Sequence, residues 1–289
     1  AIVNGHDYVF AGMRGATFIV YDLDAGELVD AQFNAFTTPR SIHVDKDGIV
    51  WLSGAQAFLY RYDPYTKTGE QIAIPEWNEL FPNITSLNLW GLTSDSNGNI
   101  YFATYNTSYI GMYNSKTGEY SRLTEHLDPD AMYAGTGGVI LNEGYAYLTM
   151  DGNKNNDAIT THQLIKFDLT THKVVKKLDL SKVLNQSYLT NMKLIDGVIF
   201  GSHDKALNGV VAVDITGEEM QLIDISGLTG IKNGVSDEID GKVYFLDQNK
   251  QFQVYDIASS TVTPLGIGGS GSDIPLKAQY TESDRKSVV

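Results

Sequence analysis

At 289 residues the chain is long enough to bury a sizeable core, and 17 Tyr, 11 Phe and 28 Gly without an apolar run of about 18 residues argue for a strand-rich globular chain and against a helical membrane span. A formal charge of −14 with no basic run disfavours nucleic acid or an anionic membrane as partner, because phosphates are held by clustered Lys and Arg that displace counterions. The lack of cysteine removes disulfides, Cys-ligated zinc and a thiol nucleophile together.

The chain opens at Ala1 without a basic-then-apolar leader, so the expectation is a processed or excised piece of a longer protein, a monomeric domain with no membrane insertion. The acidic, cysteine-free, Tyr- and Asn-rich composition points to an extracellular or cell-surface setting and fits a secreted bacterial protein at least as well as a cytosolic one.

From residue 7 onward the chain repeats. An aromatic or aliphatic residue followed by Asp or Asn, then a turn often spelled Thr-Gly-Glu, recurs as Tyr21-Asp22, Tyr62-Asp63, Tyr113-Asn114, Phe167-Asp168, Val213-Asp214 and Tyr255-Asp256. The spacings of 41, 51, 54, 46 and 42 residues match the period of four-stranded propeller blades. Ahead of each pair lies a β-rich run that reads as a second strand: Asp7 to Gly12, Ile49 to Gly54, Ile100 to Thr104, Tyr145 to Met150, Val198 to Gly201 and Lys242 to Leu246. Turns such as Asp45-Lys46-Asp47-Gly48 and Ser96-Asn97-Gly98-Asn99 supply the positive-φ residues of tight hairpins. Leu89 to Ser94 and Asn191 to Ile195 read as innermost strands, Glu70 to Ile74 and Thr261 to Leu265 as outermost ones.

The expected fold class is therefore all-β, a six-bladed β-propeller of four-stranded antiparallel blades in a single domain over 1–289. The blades span approximately 1–38 with 285–289, then 39–86, 87–134, 135–189, 190–230 and 231–266. Arg285-Lys286-Ser287-Val288-Val289 is similar to Arg40-Ser41-Ile42-His43-Val44, so the C-terminal strand is expected to join Ala1-Ile2-Val3 in blade one and close the ring, leaving no open sheet edge. The rival account is a piece cut from a longer array of blades. Glu76 to Phe81, Thr124 to Met132 and Leu180 to Leu184 read as a turn or two of helix between blades, and Gly266 to Ser272 as a linker to the closing strand.

In such a ring the connections into the innermost strands and the loops between second and third strands share one mouth, the default ligand site. The segments expected there carry Arg40 and His43, then Asn88, Trp90 and Tyr105, then Tyr133 and Thr136. Later blades add Tyr188, Asn191, His203, Asp204, Lys232, Asn233 and Gln248. Aromatics beside amides suit a saccharide, whose faces stack on rings and whose hydroxyls bond to amides, and the expected ligand-binding set is Trp90, Asn88, Tyr105, Tyr133, Tyr188, Asn191, Asn233 and Gln248. Trp90 also reads as a packing residue between blades, His43 as a satisfied structural histidine, and His203 as either an acid/base with Asp204 or a solvated loop side chain.

Asp151-Gly152-Asn153-Lys154-Asn155-Asn156-Asp157 places oxygen-bearing side chains at alternate positions, as a loop that wraps Ca2+ does, making Asp151, Asn153, Asn155 and Asp157 the candidate metal ligands and Ca2+ the candidate ion. Asn156 stands where such a loop carries Gly and His162 where it carries Glu, so a long polar loop is the alternative. The similar Asp95 to Asn99 stretch is read as a hairpin turn. Asn83, Asn106 and Asn185 head glycosylation sequons that decide nothing on their own.

Trp90-Gly91-Leu92-Thr93 followed by Asn97-Gly98-Asn99-Ile100-Tyr101-Phe102 resembles the blade motif of the virginiamycin B lyase-like propellers, a bacterial repeat β-propeller superfamily, with a fainter echo at Asp47-Gly48-Ile49-Val50-Trp51. The resemblance implies the fold. The lyases of that family use a His on an innermost strand and a Glu after the motif's second strand, where this chain reads Ala103-Thr104-Tyr105, and their ring has seven blades, so no catalytic residue carries over.

Two functions follow from the residues themselves. One is a secreted binding module that recognises a glycan or a partner protein at the mouth. The other is a polysaccharide lyase that abstracts a proton beside a uronate carboxylate, with His203 or Tyr105 as base and Arg40 neutralising the carboxylate. A Gly-X-Ser-X-Gly elbow is absent from the sequence, which disfavours a serine hydrolase.

Overall fold

The computed structural model describes residues 2–3, 5–13, 17–33, 39–54, 57–81, 87–104, 109–124, 127, 133–153, 161–183, 190–202, 210–223, 238–246, 251–259 and 261–268. The chain divides into two compact units, Ala1–Ala158 with Leu164–Lys177, and Ile159–Gln163 with Leu178–Val289. The first sheet is β1 (Ile2–Val3), β2 (His6–Met13), β3 (Thr17–Asp22) and β4 (Glu27–Phe33). The second is β5 (Pro39–Val44), β6 (Val50–Gly54), β7 (Phe58–Asp63) and β8 (Thr68–Ala73), followed by the one-turn helix α1 (Trp77–Leu80). The third is β9 (Leu89–Ser94), β10 (Asn99–Thr104), β11 (Ile110–Asn114) and β12 (Glu119–Arg122), and the fourth β13 (Tyr133–Asn142), β14 (Tyr145–Asn153), β15 (Thr161–Asp168) and β16 (Lys173–Asp179). The second unit holds β17 (Thr190–Ile195), β18 (Val198–Ser202), β19 (Val210–Asp214) and β20 (Gln221–Ile223), then β21 (Lys242–Leu246), β22 (Gln251–Asp256) and β23 (Thr261–Gly268). Six small antiparallel sheets in chain order, one per repeat and with almost no helix, make this an all-β, six-bladed β-propeller.

The repeat signature has a local cause. At the end of each third strand the Asp or Asn turns its side-chain oxygen onto the turn that follows. Asp22 Oδ1 accepts from the amides of Asp24 and Ala25, Asp63 from Tyr65 and Thr66, Asn114 from Lys116 and Thr117, and Asp168 from Thr170 and Thr171. Asp214 takes the amide and hydroxyl of Thr216, and Asp256 those of Ser259. One short side chain thus satisfies turn amides that strand pairing leaves orphaned, in all six blades.

The same hydrogen bonds set a pH dependence. Turn amides and hydroxyls hold the carboxyls of Asp22, Asp168, Asp214 and Asp256 below the ordinary carboxylate value. A lowered folded-state pKa contributes stability that is complete above the unfolded value, near pH 4, and is lost as pH falls through the folded value. Acid unfolding is therefore expected to steepen below about pH 4. Asp168→Asn keeps the acceptor, as Asn114 does in blade three, and is expected to flatten that acid limb in a urea titration; an unchanged limb would refute the assignment.

In blades two to four burial is heavy in the second strand and light in the fourth. Every residue of β6 is buried, whereas β8 and β16 are mostly exposed. A strand covered on both faces reads as a continuous apolar run, and an edge strand as an alternating polar one. Within the first unit consecutive sheets share cores: Phe18, Val20, Leu52 and Tyr62; Trp51, Leu59, Phe81 and Phe102; Tyr101, Leu148, Ile165 and Phe167. Within the second, Phe200 and Ala212 pack with Val243, Phe245 and Tyr255.

Several expectations are refined. Ile2–Val3 pairs with Asp7 and His6 in the innermost position of blade one, while 285–289, the expected closing strand, lies outside the described residues. Gly266 to Gly268 belongs to β23, where Gly268 pairs with Gln251, so the expected linker is in part a strand. Helix between blades is limited to α1 among the described residues, and Leu180–Val183 forms a single hydrogen-bonded turn. Among the described residues no helix is long and apolar enough to cross a membrane.

Candidate functional site

Among the described residues, four innermost strands carry a β-bulge three or four residues before the strand ends. On β5 Pro39 pairs with Gly54 and Ser41 with Ser53, leaving Arg40 as the extra residue; on β9 Trp90 pairs with Ala103 and Leu92 with Phe102, leaving Gly91. On β13 Gly137-Gly138 stands against Thr149, and in the second unit Asn191-Met192 stands against Gly201. A bulge bends its strand and re-aims the neighbouring side chains, and bulges concentrate next to functional sites.

In the first unit β9 contacts both β5 and β13, and the bulges fall in the N-terminal halves of β5 and β9 and at the middle of the longer β13. Ser41 Oγ accepts the Leu92 amide at 3.2 Å and His43 Nε2 meets Ser94 Oγ at 2.8 Å, fastening β5 to β9. Burial pushes the His43 pKa down, so the ring is neutral at pH 7 and is a satisfied structural histidine. On the other side Gly91 lies against the backbone of Gly138 and Val139 on β13, with φ at +65°.

Two of the expected site residues meet on this frame. The Arg40 guanidinium carbon lies 4.6 Å from the centroid of the Trp90 ring, a cation–π distance. Arg40 is exposed, whereas Trp90 keeps only 9% of its surface. Asn88 is half-buried just ahead of β9. Arginine gains from such a partner, because a stacked guanidinium has fewer rotamers to lose when it binds a carboxylate bidentately.

Tyr133 and Thr136 are strand positions of β13, and Asn191 sits at the β17 bulge. Tyr105, Tyr188, His203, Asp204, Lys232, Asn233 and Gln248 lie outside the described residues. Asp151 and Asn153 are in β14, paired with Gly135 and Tyr133, so the expected cation loop begins as a strand; residues two apart on a strand share a face. Asn155 and Asp157 lie outside the described residues.

The opposite ends of β9 and β10 border an open cleft of roughly 510 Å3 that includes Ser94, Asp95, Tyr101, Glu143 and Thr170. Its Asp95 is engaged as a hairpin turn residue: Oδ1 accepts from Asn97 and Asn99 amides, Oδ2 from the Asn99 side chain and the Tyr101 hydroxyl. Asp45 is used in the same way in blade two, with Oδ2 accepting the Trp51 indole N–H at 2.8 Å.

The bulges themselves escaped the sequence reading. Their traces were the glycine after Trp90 and the Gly137-Gly138 pair, since glycine inside a strand marks a bulge or a close backbone approach.

No protein-family model matches the sequence, and no curated protein matches it. Solved β-propeller structures do match the fold. Hydrazine synthase of Kuenenia stuttgartiensis is similar with a TM-score of 0.65 at 13% identity, over 86% of this chain and 73% of that one. A chain of the nidogen/laminin complex is similar with a TM-score of 0.55 at 13% identity, over 89% and 91%. A computationally designed protein is similar with a TM-score of 0.53 at 15% identity, over 89% and 82%. At these identities the likeness is one of fold.

Proposed function

We propose that the chain is a protein-binding β-propeller that takes its partner on the bulged ends of β5, β9 and β13, with Arg40 as the anchor. The observation that carries this reading is the exposed guanidinium stacked at 4.6 Å on a buried Trp90. Arg and Trp are enriched among the few residues that dominate protein interfaces, and a pre-set side chain loses less entropy on docking. Arg40 selects a carboxylate on the partner, and the −14 net charge of the chain favours a partner that is basic overall.

A saccharide needs an open aromatic face, and the Trp90 ring is nearly buried and roofed by Arg40. An acidic polysaccharide also meets a protein of its own sign. The likeness to a chain of the nidogen/laminin complex is in keeping with a fold that works within protein assemblies.

The test is affinity measurement with a partner identified by cross-linking. Arg40→Ala is expected to weaken binding about 30-fold, the equivalent of roughly 2 kcal/mol, while Arg61→Ala, which removes only an exposed pair with Glu70, leaves it unchanged. Equal loss in both variants, or binding confined to saccharides on a glycan array, overturns the reading. Unsaturated-uronate absorbance on incubation with acidic polysaccharides would replace it with the lyase.

A further inference from the structure

We propose that His6, Asp22 and Asp24 form a binding site for a divalent first-row transition ion, Zn2+ being the probe of choice. It uses none of the residues of the Arg40 surface or of the 151–157 stretch.

The site arises from a departure from the repeat. In four blades the amide after the repeat Asp or Asn donates to the carbonyl of the first hairpin's glycine: Ser115 to Gly98, Leu169 to Gly144, Ile215 to Gly197 and Ile257 to Gly241. In blade one the matching amide, that of Leu23, donates to Asp7, and the turn glycine Gly5 stands two residues earlier. β2 therefore begins two residues early and lays His6 and Asp7 over the turn that Asp22 closes. The second departure is Asp24, two residues after the repeat Asp, where the other blades carry Tyr65, Lys116, Thr170, Thr216 and Ala258. Blade one thus gains an imidazole and a second carboxylate beside the carboxylate of its repeat Asp.

The geometry suits one ion. Single ligand atoms from His6, Asp22 and Asp24 all lie within 4.8 Å of one another. His6 Nδ1 and Asp22 Oδ2 are 3.0 Å apart. Two atoms each about 2.0–2.1 Å from a shared ion, at octahedral to tetrahedral angles, are separated by roughly 2.8–3.4 Å. This pair is therefore already spaced for a common ion, and Asp24 offers a third ligand atom within 4.8 Å of both.

The surrounding hydrogen bonds orient the carboxylates as outer-shell partners do. Asp22 Oδ1 is held by the amides of Asp24 and Ala25, which leaves Oδ2 toward His6, and Asp24 Oδ2 accepts the Asp7 amide. The His6 side chain is about half exposed, at 51%, so an ion has access and water can complete its shell. An imidazole with carboxylates selects zinc-like ions over Ca2+ and Mg2+, which prefer all-oxygen shells.

The experiment titrates Zn2+ into the full chain by calorimetry, with the imidazole nitrogens followed by NMR. One ion per chain is expected, with the His6 signals displaced, and with binding weakened at least tenfold in both His6→Ala and Asp24→Asn. His172→Ala, which removes an exposed histidine elsewhere, is expected to bind as the parent does, and Ca2+ is expected not to compete. Asp24→Asn preserves the size of the side chain, and the melting curves of both variants establish that they are folded. The proposal is overturned if Zn2+ binds equally well to both folded variants, or if it displaces other histidine signals and leaves those of His6 in place.

Discussion

Gly91→Ala is expected to cost about 2–5 kcal/mol of folding stability, the sum of two independent penalties. At φ +65° a side chain is strained whatever space surrounds it, by roughly 1–2 kcal/mol. The added Cβ would also stand 2.9 Å from the Val139 nitrogen and 3.0 Å from the Gly138 carbonyl carbon. These are main-chain atoms of the next blade, with no rotamer to change, so relief requires β9 and β13 to move apart. Gly118→Ala separates the two effects: its φ is +75° but nothing lies within 4 Å of the Cβ that the substitution adds, so only the conformational penalty of about 1–2 kcal/mol is expected. Urea midpoints of the two variants measure the difference, and equal losses would show that β9 and β13 are not in close apposition.

Trp51→Ala is expected to lose about 3–5 kcal/mol, the range for deleting a large buried ring. Trp51 is 1% exposed and shares its core with Leu59, Phe81 and Leu89, with Tyr113 at a ring separation of 5.8 Å. Its indole N–H also ties the core to the first hairpin through Asp45. Trp51→Phe retains most of the apolar volume and gives up that bond, and a smaller loss of about 1.5–3 kcal/mol is expected, as for a hydrogen bond to a charged group. Should Trp51→Phe prove as damaging as Trp51→Ala, the turn bond rather than core volume would be the dominant contribution.

What was legible in the sequence is what short-range chemistry specifies. The repeat Asp or Asn acts within four residues of itself, and six occurrences make the pattern visible without knowledge of any partner strand. The Asp95 to Asn99 hairpin was readable for the same reason. Bulges were not, because a bulge is a relation between two strands: Arg40 becomes the extra residue only through the register of Ser41 against Ser53. Arg40 and Trp90 were each singled out, yet nothing within either segment indicates that residues fifty positions apart in different blades form one stack. The polar run after Asp151 looked like a loop because its composition is that of loops, whereas pairing with β13 carries the strand through Asn153.

The closing turn of a blade has an implication for how such chains are assembled and rebuilt. A hairpin that carries its own clasp in one carboxamide or carboxylate is a transplantable cassette, indifferent to where along the polypeptide it is installed. Duplication or exchange of such cassettes is then limited by the mating of their flat faces, where a Trp51 or a Gly91 has been tailored to one particular neighbour.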